Sequence, residues 1–206
     1  MRFLSREHAG CQLASLLRNA EVAVNLVLGL PRGGVIVAAQ IARELRRTLD
    51  VLIVRKLGHP LQREFAVGAL AEPDVAILDE ESLRRNPIER ECLDAVNAEE
   101  TERLREYRVK FHLHEAPDLN GKIVLLVDDG LAAGATMEAA LRGARARGSQ
   151  KIIVAAPVAS QFALERLAAI ADEVKVELVA PNFEAVGQFY QNFDQTSDDE
   201  VIGLLR

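Results

Sequence analysis

Apolar residues fall along the chain in short continuous runs set between stretches of helical period. Residues 5–18 carry an amphipathic helical pattern, with Ser5 placed as an N-cap. The run "VNLVLGL" (24–30) reads as a strand buried on both faces. "PRGG" breaks it, "VIVAAQIAREL" (35–45) has helical period, and "DVLIVRKL" (50–57) reads as a second buried strand. This strand–helix–strand order predicts two parallel neighbours. Residues 65–79 suggest a hairpin turning at Glu72-Pro73-Asp74. Asn86-Pro87 with Glu89 predicts a helix start, the helix running to about residue 111 with a narrow stripe of Leu93, Val96, Leu104, Tyr107 and Phe111. Strands at 122–129, 151–158 and 173–180 alternate with helices near 134–147 and 160–171. The whole predicts an α/β protein: an open, mostly parallel twisted sheet flanked by helices, formed by residues 1–206 as a single domain.

Composition narrows the picture. Of the 206 residues 49% are apolar but only 4% are aromatic, so the core must be built from Ala, Val, Leu and Ile. A net charge of −6 argues against a nucleic-acid surface and requires any anionic ligand to find a local positive site. Cys11 and Cys92 are far apart and outside any CxxC, and read as reduced, half-buried core residues. No apolar run reaches membrane-spanning length, and the first residues are too polar for a signal peptide, which points to the cytoplasm and away from a membrane.

The candidate chemistry centres on "VDDGLAAGAT" (127–136). In an open parallel sheet, ligands bind beyond the carboxyl ends of the strands. Asp128 and Asp129 stand at such an end. The small residues Gly130, Leu131, Ala132, Ala133, Gly134 and Ala135 let backbone N–H groups face an anion at the start of a helix, and Thr136 adds a hydroxyl. A phosphate there leaves a sugar diol beside two carboxylates that accept hydrogen bonds. A Walker loop and a GxGxxG fingerprint are both missing. Residue types alone leave a plain strand exit and turn as the alternative. A second candidate is "LGLPRGGV" (28–35): Pro31, Arg32, Gly33 and Gly34 form a turn at a strand end and helix start, with a cation an idle turn would not need. Arg55 and Lys56 are expected at the same edge of the sheet, opposite the acids.

"VLLVDDGLAAGATM" resembles the phosphoribosyl diphosphate (PRPP) signature of type I phosphoribosyltransferases. The resemblance is greatest to a group of stand-alone phosphoribosyltransferase-like proteins, and extends through "GLPRGGV", "VRKLG", "AVGALAE", "ETERLREYR" and the tail "FEAVGQFYQNFDQTSDDEV". It implies that Asp128 and Asp129 hold the ribose hydroxyls and that residues 130–136 hold the 5′-phosphate. It also implies that the 31–34 turn, Lys56, Arg55 and Arg63 serve the diphosphate. Arg63 and Glu64 would lie in a mobile lid with His59, residues 80–113 would be a helical insertion, and 181–206 a hood in which Phe183 stacks on a planar acceptor. Phe189 and Tyr190 suit core packing as well as the hood. One departure is visible: the family has Thr or Ser where this chain has Ala133, so one phosphate-contacting hydroxyl is missing.

The implied reaction transfers a 5-phosphoribosyl group from PRPP to a nitrogenous base or related acceptor and releases diphosphate, with Mg²⁺ bound through PRPP and not by a direct protein metal site. Asp128, Asp129 and Lys56 would be its catalytic residues. The alternatives are a PRPP-binding regulator without turnover, which Ala133 favours, and a sugar-phosphate hydrolase or binder. Related enzymes are often dimers, which makes a homodimer an expectation. His112 and His114 stand two apart without a third ligand nearby, which argues against a metal. Ser197 with Asp198, Asp199 and Glu200 reads as the start of a terminal helix.

Overall fold

A computed structural model describes residues 3–72, 75–112 and 115–206, without the side chains of residues 64, 66 and 81. Five parallel strands form the main sheet in the order β2-β1-β6-β7-β8. They are β1 (Leu26–Gly29), β2 (Thr48–Val51), β6 (Ile123–Val127), β7 (Lys151–Ser160) and β8 (Glu173–Ala180). Strand β1 is buried throughout, as its unbroken apolar run requires of a central parallel strand. Helix α1 (Arg6–Asn19) starts at Ser5, whose hydroxyl accepts from the His8 N–H at 3.3 Å, and buries Ala9, Leu13, Ala14 and Leu17. With α2 (Gly33–Leu45) it covers one face of the sheet, where Ile41, Val37 and Leu13 meet Val27 and Leu125. Helices α5 (Ala135–Ala146) and α6 (Gln161–Ala168) cover the other, with Met137, Ala140 and Leu167 packed on Leu28, Leu126 and Val154.

The chain leaves β1 toward β2 and leaves β6 toward β7, in opposite directions. Neighbouring strands β1 and β6, paired Gly29 to Val127, therefore form the switch point where an open α/β sheet leaves a crevice.

The predicted strand 50–57 is two strands. After Val51 the chain quits the main sheet, and Val54–His59 (β3) pairs antiparallel with Gln62–Ala71 (β4), which pairs with Val75–Leu78 (β5). The break sits at Leu52 and Ile53, both buried. The Ile53 N–H donates to the Glu72 carboxylate at 3.0 Å, and the Glu72 N–H donates to the Ile53 carbonyl at 3.0 Å. A continuous apolar run conceals this corner because both sides of it are core. The hairpin expected over 65–79 is present as β4 and β5, while its turn residues Pro73 and Asp74 lie outside the described residues.

The helix expected from Asn86 to about residue 111 is present but starts later, and a short helix not read from the sequence precedes it. Helix α3 covers Glu80–Arg85, and the Asn86 N–H closes it by donating to the Ser82 carbonyl. Pro87 then disfavours the helical region for Asn86, and α4 (Arg90–Phe111) begins four residues later behind Glu89, with no side-chain cap. Its stripe does face inward: Val96, Leu104 and Phe111 are buried against Val35, Leu57 and Val201, the last from α7 (Asp198–Leu205). Helix α7 starts with the expected Ser197–Glu200 capping box. Cys11 and Cys92 are both exposed, contrary to the core placement read from sequence, because each falls on the polar side of its helix.

A buried ionic cluster joins Asp50 of β2, Glu72 after β4, Arg108 and His112 at the end of α4, and Arg147 after α5. His112 Nε2 is 2.8 Å from the fully buried Glu72 carboxylate, and its Nδ1 is 3.4 Å from Asp50. Arg108 and Arg147 approach Glu72 at 3.4 and 3.6 Å. Burial pulls the imidazole pKa down, but hydrogen bonds to Asp50 and Glu72 and their charges outweigh it, raising the pKa to about 9. The imidazolium therefore stabilises the fold fully below about pH 6.5, and that contribution is lost as the pH rises through about 9. His112→Gln is expected to remove on the order of 1–3 kcal/mol at pH 6 and to flatten the decline between pH 6.5 and 9.5, read by urea unfolding across that range. An unchanged slope would refute the charged state. His114, discounted with His112 as a metal ligand, lies outside the described residues.

Candidate active site

The acids leave the sheet at the end of β6, where the Asp128 N–H donates to the Ala155 carbonyl at 3.3 Å. Both are partly buried, and the Asp129 N–H donates to Asp128 Oδ1 at 2.9 Å. Their environments differ. Asp128 lines a cavity of about 500 Å³ together with residues 130–137, Lys56 and Arg166. Asp129 is held by Arg6, whose Nε lies 2.7 Å from Oδ2, both side chains being at most 15% exposed. Burial, then the charge of Asp129, pushes the Asp128 pKa well above the ordinary carboxylate range. Burial also raises the Asp129 pKa, opposed by the hydrogen bond and charge of Arg6.

The loop after the acids is fastened from outside the cavity. The Leu131 carbonyl accepts from the Ser160 N–H at 2.9 Å, and the Ala132 carbonyl accepts from the Ser160 hydroxyl at 2.5 Å. The Gly134 carbonyl accepts from the Glu138 N–H as α5 begins. In a trans peptide the C=O and N–H point opposite ways, so these engaged carbonyls turn the Ala132, Ala133 and Ala135 amides the other way, toward the cavity these residues line, whereas the Leu131 N–H is taken by the Val158 carbonyl at 2.9 Å and is lost to an anion. Neutral donors plus a helix N-terminus suit a phosphate there.

The second loop packs directly on the acids. The Pro31–Arg32 peptide is cis, and α2 begins at Gly33. A Cβ on Gly33 would lie 2.0 Å from Asp129 Oδ2, and one on Gly34 would lie 2.7 Å from the Val127 carbonyl oxygen. Only residues without a Cβ let the two loops approach so closely.

The predicted cations separate. Lys56 lines the acid-loop cavity. Arg55 turns to α4 instead, 2.9 Å from the Glu100 carboxylate and over the Tyr107 ring. Arg63 pairs with Glu99 at 2.6 Å, and Arg32 lies 3.6 Å from Asp198 at the start of α7. The strand of Arg55 and Lys56 is β3 of the small sheet and not a parallel strand ending beside the acids, and alternation along it sends the two side chains to opposite faces. Phe65 of β4, Asp79 just after β5 and Ser82 of α3 (Glu80–Arg85) also line the cavity.

The family model described as "Phosphoribosyl transferase domain" matches residues 11–194. The chain belongs to this family. Proteins provisionally named phosphoribosyl transferases in two Mycobacterium tuberculosis strains, CDC 1551 / Oshkosh and ATCC 25618 / H37Rv, are each 43% identical over 204 residues. The match takes in 98% of this chain and 46% of each relative, so the chain spans just under half the length of those proteins. The crystal structure of TT1426 from Thermus thermophilus is 42% identical and superposes with a TM-score of 0.83, over 100% of this chain and 98% of that one. AQ2163 from Aquifex aeolicus, at 15% identity, a TM-score of 0.50 and coverage of 84% and 74%, shares the fold alone. The open parallel α/β sheet read from the sequence is thus that of phosphoribosyltransferases.

In this phosphoribosyltransferase-family chain the tail lies over the acids. The Tyr190 hydroxyl donates to the Asp129 carbonyl at 2.6 Å, and burial followed by the Asp129 charge raises its pKa, keeping it protonated. Phe193 lies under the Arg6 guanidinium, 3.8 Å from its Cζ to the ring centroid. Phe183, the acceptor-stacking candidate, is partly buried against Phe189 with centroids 5.1 Å apart. Tyr190 is core. Arg6, Phe193 and Arg166 escaped sequence reasoning. A signal existed for Arg6 alone: it opens a helix whose first turn favours acids, so a cation there needs a partner elsewhere. Among the described residues no group of three His, Cys, Asp or Glu side chains is placed to hold a metal ion, and no helix is long and apolar enough to cross a membrane.

Proposed function

We propose that the chain binds PRPP in the crevice between β1 and β6 and transfers its 5-phosphoribosyl group to a nitrogenous acceptor, releasing diphosphate. The observation that carries this reading is the cavity that joins Asp128, Lys56 and residues 130–137 at the switch point of the sheet. The Ala132, Ala133 and Ala135 amides and Thr136 take the 5′-phosphate, and Asp128 accepts from the ribose hydroxyls. The 31–34 turn abuts the acids and takes the diphosphate with Lys56. Arg32 and Arg63 would join it by giving up Asp198 and Glu99, while Arg55, on the opposite face of β3 from Lys56, stays with Glu100. Phe183 is the acceptor-side aromatic, and residues 1–206 act as one unit with 181–206 as the hood.

Bond cleavage at the anomeric carbon precedes bond formation, so a cationic sugar develops beside the acids. The residues act by alignment and by charge placed in advance, with no covalent intermediate on the protein. The hard oxygen donors of Asp128 fit Mg²⁺ entering on the substrate's phosphates, as a small hard cation prefers. When bound, Mg²⁺ supplies Lewis-acid stabilisation of the leaving diphosphate.

A second reading, binding without turnover, is favoured by Ala133 and by the Arg6 clamp on Asp129. PRPP with Mg²⁺ is expected to stabilise the chain by about 2.7 kcal/mol at 100 times its Kd, read as a rise in Tm. Diphosphate release that depends on an added base identifies transfer. Stabilisation without release identifies the regulator, and release without any acceptor identifies a hydrolase. No stabilisation by PRPP rejects the site.

A further inference from the structure

Ala133 removes a hydroxyl from the 5′-phosphate loop, and the neighbouring helix supplies a cation at the same place. Arg166 on α6 lines the cavity with residues 130–137. Its Nε donates to Glu138 Oε2 at 2.6 Å, which fixes the plane of the guanidinium. Among the described residues its remaining nitrogens make only long contacts: Nη1 lies 3.5 Å from the Ala133 carbonyl and Nη2 lies 4.0 Å from Asp79 Oδ2. A guanidinium has five N–H donors, so most of its capacity is left for an oxyanion with three or more acceptor oxygens. Glu138 is itself shared with Arg142, whose Nη2 lies 2.7 Å from Oε1, so the local carboxylate is already balanced by a second cation. Burial would raise the Glu138 pKa, but the hydrogen bonds from Arg142 and Arg166 leave it lowered and ionised.

We infer that Arg166 binds the 5′-phosphate of the substrate, standing in for the hydroxyl that Ala133 lacks. The inference rests on the phosphoribosyl reading of the cavity. Closing on a phosphate costs Arg166 little: the contact given up is the 4.0 Å approach to Asp79, while the Glu138 hinge is kept. The side chain is 27% exposed, so it reaches the cavity without leaving a buried charge unpaired. It predicts that ligands sharing a 5′-phosphate, ribose 5-phosphate and PRPP, depend on Arg166 alike, whatever the acceptor.

The test is calorimetric titration of ribose 5-phosphate and PRPP into the wild-type chain, Arg166→Gln, Glu138→Gln, and Arg166→Gln combined with Ala133→Thr. Arg166→Gln is expected to weaken both ligands about tenfold or more, the loss of a charge-assisted contact. Glu138→Gln keeps the cation and should retain affinity within about threefold, although it loses the same ion pair. Ala133→Thr in the Arg166→Gln background is expected to recover most of the affinity, which a packing role for Arg166 would not allow. Equal affinities in wild type and Arg166→Gln would overturn the inference while leaving the site intact. Equal losses in Arg166→Gln and Glu138→Gln would assign the effect to the ion pair and overturn it too. Failure of the wild type to bind either ligand would reject the phosphoribosyl reading, and this inference with it.

Discussion

Asp128→Asn is expected to lower PRPP-dependent diphosphate release by about 10²-fold or more while leaving the folded chain as stable or more stable. The two effects have one cause. The Asp128 carboxylate is desolvated beside a second carboxylate, so its charged form is held at an energetic cost in the free protein. Its folded pKa is raised, so its stabilising contribution is fully present only below the unfolded value near 4 and is lost as pH rises through the folded value. Asn keeps an oxygen to accept from the Asp129 N–H and removes the charge. Stability should therefore become flatter with pH above 4, and Tm at pH 7.5 should hold or rise. Activity should fall, because the charge is what accepts from ribose hydroxyls and favours a developing cation. Thermal melts at pH 5 and 7.5 and a coupled diphosphate assay on the same preparations read both. A variant that loses stability and activity together would assign Asp128 to structure, and one that keeps full activity would remove it from the site.

Some elements were legible because local and global signals agree. The runs at 26–29 and 123–127 have no polar face to expose, so they must be central parallel strands, and the acids that follow must stand at a carboxyl edge. Ser5, and Ser197 with Glu200, name their helix starts through side-chain chemistry that acts over three residues. The corner at Leu52–Ile53 was illegible because its deciding partner, Glu72, is nineteen residues away and the corner itself is as apolar as the strands on either side. The cations failed for a related reason. A strand end with Arg55 and Lys56 looks the same whether it faces a ligand or a helix, and the carboxylates that claim Arg55, Arg63 and Arg32 lie on α4 and α7. Likewise Arg6 meets Asp129 across 123 residues of sequence. Motifs carry what a loop can do, while ion pairs between distant elements decide which of the charged groups are turned toward it.

Gly33→Ala should be the most disruptive single methyl in the site. The added Cβ would stand 2.0 Å from Asp129 Oδ2 and 2.7 Å from Arg6 Nε, and neither can swing aside freely. Arg6 is committed to Asp129, to the Asp194 carbonyl at 2.8 Å and to the Phe193 ring. Either the buried ion pair opens or the 31–34 turn moves off the acids. The expected cost is about 1–3 kcal/mol of stability, as for other overpacked sites, read by urea unfolding. Gly203→Ala is the control: it lies in α7 with nothing within 4 Å of the added Cβ, and should be neutral or stabilising by up to about 1 kcal/mol. The contrast separates close approach from a general intolerance of alanine. PRPP affinity in Gly33→Ala should fall further than stability alone explains, because the turn and the acids are one packed unit and a displaced turn misplaces the diphosphate relative to the ribose. Ribose 5-phosphate, which never reaches the turn, should bind as in the wild type. If the variant loses both ligands equally, the 31–34 turn serves the fold and not the diphosphate.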